Sequence, residues 1–401
     1  MKRVYANSFW LMIAHLAGYA IPLLELPILA RALGPESFGS LLFALSVALS
    51  FSLIVEYGFN LSASREVARN IDNPAEIASI FGQVSLAKMI LAAVVVSVSG
   101  LLVMMTGLPS IMETDLIFPA ILFFVAFGFS PFWYFQGTEK MVRPVILNLG
   151  LRFFSLFLLW VYVESPEHAS RALLIMGGLG LINTLVTTTW VYSEIRVFKC
   201  SLRGSLSQIR IGWHTFVYRS SNDVLMSASP AILGFAAGRL ETGIFVPAEK
   251  LVKAAAGLAL PVLTAFFPYL SKRGLGRARE GWWLVCILSG GGVIAAVALW
   301  ILAPVLIDLL LGENYRDSIP LMNLFVWLIP LRIANQSLGI AILFPNGADR
   351  YAGYSLVIAS ILAITSGYTL ATYYGAAGMV IGLLLAEALL FGLLVFKSLK
   401  L

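Results

Sequence analysis

The chain has 401 residues, of which 59% are hydrophobic and only 12% charged, about half the roughly 25% charge content of a soluble domain. Its formal net charge is +6 and its mean hydropathy +0.89. A soluble globule of this length needs far more polar surface, which excludes a cytosolic enzyme, a nucleic-acid binder and a disordered chain and leaves a polytopic protein whose solvent is the lipid bilayer.

Met1-Lys2-Arg3 opens the sequence ahead of an apolar run at about 8–30. That run is too long for a signal-peptide core and no small-residue cleavage site follows it, so it reads as a retained first span. A hydrocarbon core of about 30 Å takes roughly 20 helical residues, and twelve runs satisfy this. The first six lie at about 8–30, 38–59, 79–105, 116–135, 142–163 and 171–195. The second six lie at about 211–238, 243–270, 282–311, 319–344, 351–374 and 376–396. With both termini in the cytoplasm, seventeen Lys and Arg fall on the inside, among them Arg65, Lys140, Arg196, Lys199, Arg203, Arg210, Lys272, Arg273, Arg277 and Lys397; only Arg31, Arg171, Arg239 and Arg316 fall outside. Positive charge on cytoplasmic loops supports this orientation. Cys200 and Cys286 are the two cysteines, one in a basic loop and one in an apolar run, so no disulfide is expected. His15, His168 and His214 are scattered and offer no metal cluster.

Loop motifs recur six spans apart. Gly34-Pro35-Glu36-Ser37-Phe38-Gly39 follows the first span, and Gly238-Arg239-Leu240-Glu241-Thr242-Gly243 follows the seventh. Gly137-Thr138-Glu139-Lys140 follows the fourth, and Gly347-Ala348-Asp349-Arg350 the tenth. Six is even, so the halves share an orientation, as in a parallel repeat about an axis along the membrane normal. The expected fold is all-α: twelve transmembrane helices in two six-helix lobes, residues 1–200 and 201–401, around a central cleft.

The six Lys and Arg left over sit inside spans: Lys88, Arg152, Arg219, Lys250, Lys253 and Arg332, with Glu25, Asp223, Glu249 and Glu387 as intramembrane acids. A charge at the bilayer centre costs about 2.5–3.5 kcal/mol on insertion scales, so each must face a cavity or a partner. Arg219 and Asp223 are four apart and can pair on one helix face. Arg332 shares a polar stripe with Asn335 and Gln336, and Arg152 lies one turn from Asn148. Lys250 can line a cavity or snorkel outward. Lys88 reads as an inner-interface snorkel, and Glu56 and Asp308 as interfacial. Glu25, between Pro22 and Pro27 in a helix those prolines bend, reads either as a gate or proton site or as a hydrogen-bonded structural group. Glu387 reads as protonated or paired. Arginine binds phosphate through its planar fork. Arg152, Arg219, Arg332, Asn148, Asn335 and Lys250 are therefore candidate substrate ligands, and Glu25, Asp223 and Glu387 candidate coupling or gating groups. Trp133, Tyr134, Trp213, Tyr218 and Trp327 can stack on sugars or form the interfacial aromatic belt.

Residues 29–39, Leu-Ala-Arg-Ala-Leu-Gly-Pro-Glu-Ser-Phe-Gly, resemble the first-loop signature of Wzx-type O-antigen flippases. Residues 56–65, Glu-Tyr-Gly-Phe-Asn-Leu-Ser-Ala-Ser-Arg, and 131–140, Pro-Phe-Trp-Tyr-Phe-Gln-Gly-Thr-Glu-Lys, are similar to that family's second- and fourth-span exits. The resemblance implies a fold like that of the multidrug, oligosaccharidyl-lipid and polysaccharide exporters. It also implies a flippase for undecaprenyl-pyrophosphate-linked oligosaccharide in the bacterial inner membrane, working by alternating access. No cofactor is implied beyond a coupling ion such as H+ or Na+. The polymerase and chain-length regulator of the same pathway are the implied protein partners. Two other readings stand beside it: a multidrug exporter of the same superfamily, which would favour cavity acids, and a membrane-embedded glycosyltransferase or polymerase, which would need catalytic acids in a large outer loop.

Overall fold

A computed structural model describes residues 2–106, 112–195, 200–271 and 278–401. Arg196, Lys199, Lys272, Arg273 and Arg277, part of the inside charge set, lie outside the described residues. Every regular element among the described residues is helical. The helices are α1 (Lys2–Glu56), α2 (Phe59–Arg69), α3 (Pro74–Thr106), α4 (Thr114–Gly128), α5 (Phe132–Gly137), α6 (Val142–Tyr162), α7 (Ala169–Glu194), α8 (Leu202–Ser227), α9 (Ser229–Ala237), α10 (Arg239–Gly257), α11 (Ala259–Ser271), α12 (Ala278–Leu310), α13 (Ser318–Phe325), α14 (Leu328–Ser337) and α15 (Asp349–Ser398). Nine helical stretches among the described residues are long and apolar enough to cross a membrane.

Several expected spans are interrupted. The 116–135 run is two helices, parted just before Pro131, which has no N–H to continue the ladder. The 211–238 run divides at Ala228, with Pro230 in the first turn of α9. Conversely, α1 and α15 run on where two spans each were expected, but each contains a glycine with non-helical torsions: Gly34 (φ 70°, ψ 170°) and Gly375 (φ 57°, ψ −140°). Gly238 (φ 90°, ψ −171°) adopts nearly the Gly34 conformation, as their matching motifs suggest. The second motif pair also shares a fold, but in a different register. Lys140 N–H donates to Phe135 O, and Ala348 N–H to Leu343 O, both at 2.9 Å, with the left-handed residue at Glu139 in one turn and Gly347 in the other. Both turns are therefore Schellman-type caps, offset by two residues from the pairing the glycines suggest.

The chain divides into two compact units: Met1–Leu33 with Ser40–Ser220, and Gly34–Gly39 with Ser221–Leu401. In the first unit α4 packs on α7. Gly177 and Gly180 let the α4 backbone approach: a Cβ on Gly177 would lie 3.0 Å from Phe123 N, and one on Gly180 3.2 Å from Ala126 Cβ. Thr184 Oγ1 donates to Ala126 O at 2.6 Å. Small residues and hydroxyl bonds hold helices together where lipid removes the hydrophobic drive between them. Phe59, Phe81, Val84, Trp133, Tyr134 and Val191 form a buried cluster in the same unit. Trp133 and Tyr134 are 1% and 3% exposed, so they neither stack on sugars nor join the belt. Phe81 stacks on Trp133 instead, with ring centroids 5.7 Å apart. Trp213, Tyr218 and Trp327 are exposed. In the second unit α15 folds back at Gly375, and the halves touch where a Cβ on Gly382 would lie 2.7 Å from Gly367 Cα. Phe38 meets Tyr315 edge to face; burial pushes the Tyr315 phenol well above its ordinary pKa.

Candidate functional site

The intramembrane charges gather into a set in each unit. In the first, Tyr57 (φ 47°) and Gly58 (φ 74°) end α1 and start α2, which leaves Glu56 at the end of the helix. Arg219, on α8, donates from Nη2 to Glu56 Oε2 at 2.8 Å, and Asn60 Nδ2 donates to Glu56 Oε1. The side chains of Arg219 and Glu56 are 28% and 16% exposed. Lys88, on α3, lies within electrostatic reach of both. It does not snorkel: it is 3% exposed, and its Nζ donates to Ser130 O at 2.9 Å, beyond the C-terminal end of α4. That contact suits a cation, because the last carbonyls of a helix carry partial negative charge.

Arg152 and Asn148 lie on the face of α6 that carries buried Val145, Ser155 and Leu159, away from the exposed Phe153, Phe157 and Trp160. Both are partly exposed. Among the described residues no hydrogen bond or ion pair involves Arg152. Glu25 is 8% exposed and engaged by neighbouring groups.

In the second unit Arg332 Nε donates to Glu387 Oε1 at 3.0 Å, and Arg332 Nη2 to Leu225 O at 2.8 Å. Asn335 Nδ2 donates to Glu387 Oε2 at 2.7 Å and to Glu387 O at 3.0 Å. The Arg332 and Glu387 side chains are 3% and 4% exposed. The carboxylate is thus held by two donors, a state that favours its ionised form. Beside it, Glu249 accepts from Ser229 Oγ at 2.6 Å and pairs with Lys253 Nζ at 2.7 Å. Lys253 lies within electrostatic reach of Arg332 and Lys250. Asp223 and Lys250 are partly exposed and engaged with other groups.

The sequence-derived candidates therefore fall into three situations. Arg332, Asn335 and Glu387 come together, as one buried network closed to ligand in this conformation. Arg219 finds Glu56, a residue outside the candidate set and 163 positions away. Arg152 and Asn148 share an inward face with no partner acid. Sequence reasoning missed Glu56 as a site residue. Its signal was the Tyr57-Gly58 pair directly after it, which marks a helix end inside an apolar stretch. Among the described residues no cluster of His, Cys, Asp and Glu could hold a metal ion.

An all-helical chain with charged networks inside apolar spans is a polytopic membrane protein with a polar interior. Residues 4–273 match the family described as polysaccharide biosynthesis protein, and the chain belongs to that family. It is 29% identical over 403 residues to a protein of Shigella dysenteriae named "Putative O-antigen transporter", covering 98% of this chain and 99% of that one. A protein of Escherichia coli (strain K12) with the same name is 27% identical, over 97% of this chain and 95% of its own. The structure resembles an inward-facing multidrug resistance MATE family transporter of the MOP superfamily (TM-score 0.62, 16% identity, 95% and 94% of the two chains). It also resembles the lipid II flippase MurJ in an inward closed conformation (TM-score 0.61, 11% identity, 98% and 87%). At these identities the likeness shows the fold.

Proposed function

We propose that this protein is a flippase that moves undecaprenyl-pyrophosphate-linked oligosaccharide, the O-antigen repeat unit, from the cytoplasmic to the periplasmic leaflet of the bacterial inner membrane. The observation that carries this reading is the end-to-end similarity to two relatives named as O-antigen transporters. The intramembrane cations support it: Arg152 and Arg219 are partly exposed within spans, and guanidinium forks suit pyrophosphate.

Twelve crossings fit the helices. Of the nine apolar stretches, those at Ala20–Arg69 and Asp349–Ser398 are 50 residues long, about 75 Å of helix against a core of about 30 Å. Each contains a glycine break and supplies two passes, and α8 with α9 adds one more. Both termini then face the cytoplasm, and the halves 1–200 and 201–401 repeat in parallel. Transport proceeds by alternating access coupled to H+ or Na+, with Glu25, Asp223 and Glu387 as coupling or gating groups. The polymerase and chain-length regulator of the pathway are its partners. The chemistry needed is binding and release, not bond cleavage, so the protein acts as a transporter and not an enzyme.

Complementation tests this reading. A host lacking its own O-antigen flippase and expressing this chain recovers surface polysaccharide built from its own repeat unit. Recovery of drug resistance without polysaccharide would support the multidrug reading instead. Glycan transfer by the purified protein would support the polymerase reading.

A further inference from the structure

One face of α8 is zipped to the first unit by residues spaced three or four apart. The Gln83 side chain packs over Gly204, and Gln208 Nε2 donates to Glu66 Oε2 at 2.8 Å. Tyr57 packs over Gly212 and stacks on Phe216 with ring centroids 4.4 Å apart and planes 11° apart. The last tooth is Arg219 on Glu56. Residues 204, 208, 212, 216 and 219 make a single stripe, and most of what they grip lies in the short stretch 56–66.

The charges at the end of this stripe do not cancel. Glu56 is one carboxylate beside two cations, Arg219 and Lys88. Lys88 is anchored by a backbone carbonyl and stays when the carboxylate leaves. The Arg219–Glu56 pair is several-fold more exposed than the sealed Arg332–Glu387 pair, so it is the pair a ligand can reach. A carboxylate on a guanidinium fork occupies the geometry a phosphoryl oxygen would take. A pyrophosphate carries more charge and more acceptor oxygens than the carboxylate it replaces.

We propose that Glu56 is a built-in occupant of an anion site made by Arg219 and Lys88. The pyrophosphate of a lipid-linked substrate binds there by displacing Glu56, and this releases the α8 stripe from residues 56–66. The site thereby reports its own occupancy to the helix that carries Arg219. The proposal rests on the flippase reading for its substrate class, but its contacts stand independently of transport.

The test uses the full-length protein in detergent with Cys200→Ala and Cys286→Ala, since both native cysteines are exposed. Glu66→Cys with Gln208→Cys places a disulfide reporter on the stripe, away from the anion site. The reporter is expected to cross-link without ligand, and farnesyl pyrophosphate is expected to slow cross-linking at least about threefold. Inorganic pyrophosphate is expected to act only at about tenfold higher concentration, which distinguishes a lipid-borne group from a free anion. Glu56→Gln removes the competing charge and is expected to tighten farnesyl pyrophosphate binding about tenfold, because the open site is then more populated. Arg219→Ala is expected to abolish the response. Cross-linking indifferent to both probes, a reporter that does not cross-link at all, equal potency of the two probes, or weaker binding by Glu56→Gln each overturns the proposal. Complementation by the unmodified chain is scored separately, so the flippase reading and the anion site can fail independently.

Discussion

Gly39 and Gly243 each face the backbone of the other's motif. A Cβ on Gly39 would lie 1.9 Å from Arg239 O, and a Cβ on Gly243 would lie 1.9 Å from Pro35 O. The contact is reciprocal, motif against matching motif, and it places Gly34–Gly39 in the second compact unit despite its early place in the chain. Overpacking a tight contact costs about 1–3 kcal/mol, and more when backbone must move. Gly39→Ala and Gly243→Ala should each lower the melting temperature in detergent markedly. Gly150→Ala, with nothing within 4 Å of its added methyl, should be neutral or stabilising by up to about 1 kcal/mol, since alanine is the better helix former.

Breaking the sealed ion pair should be costly from either side. Arg332→Ala or Glu387→Ala leaves one buried charge uncompensated, at about 3–5 kcal/mol. Replacing both with apolar residues, as in Arg332→Met with Glu387→Leu, should recover much of that loss. Thermal unfolding of the purified protein would read the non-additivity as a coupling energy.

Arg152 should behave oppositely. It makes no hydrogen bond or ion pair among the described residues, so Arg152→Ala should shift stability by less than about 0.5 kcal/mol. Surface polysaccharide in the complemented host should nonetheless fall, and Arg152→Lys should restore part of it. A variant with normal stability and normal polysaccharide would remove Arg152 from the substrate path.

Glu241 caps a helix that begins in the middle of another. Its Oε2 accepts from Ala376 N–H at 2.6 Å, just after the break at Gly375. Loss of such a cap costs about 0.5–2 kcal/mol. Glu241→Ala should therefore destabilise by that amount, and Glu241→Gln, which keeps the acceptor but not the charge at a helix N-terminus, by less. Denaturation midpoints of the two variants would separate the hydrogen bond from the charge.

The membrane class, the apolar stretches and the matching Gly34 and Gly238 motifs were legible in the sequence because lipid imposes length and composition directly. The partners inside the spans were less so. Helical periodicity offers Arg219 only neighbours three or four positions away, such as Asp223; it carries no trace of Glu56. Lys88 looked like a snorkelling residue because it lies about two turns into its helix, and nothing local reveals the Ser130 carbonyl that holds it. The caps at Glu139 and Gly347 match in hydrogen bonding while the glycines pointed to a pairing two residues off, because a Schellman turn tolerates a non-glycine residue at its left-handed position when its bonds compensate.

Between Ser337 and Phe344 the backbone widens into a stretch of π-helix at Leu338–Leu343, closed by Phe344 N–H on Gly339 O at 2.9 Å. A wide turn of this kind holds one more residue than an α-turn. Deleting Ala341 would return the stretch to ordinary helix and swing everything after it by about 100° about the axis. The segment should therefore be among the places in this chain least forgiving of an insertion or deletion, although its composition looks no different from that of any other apolar helix.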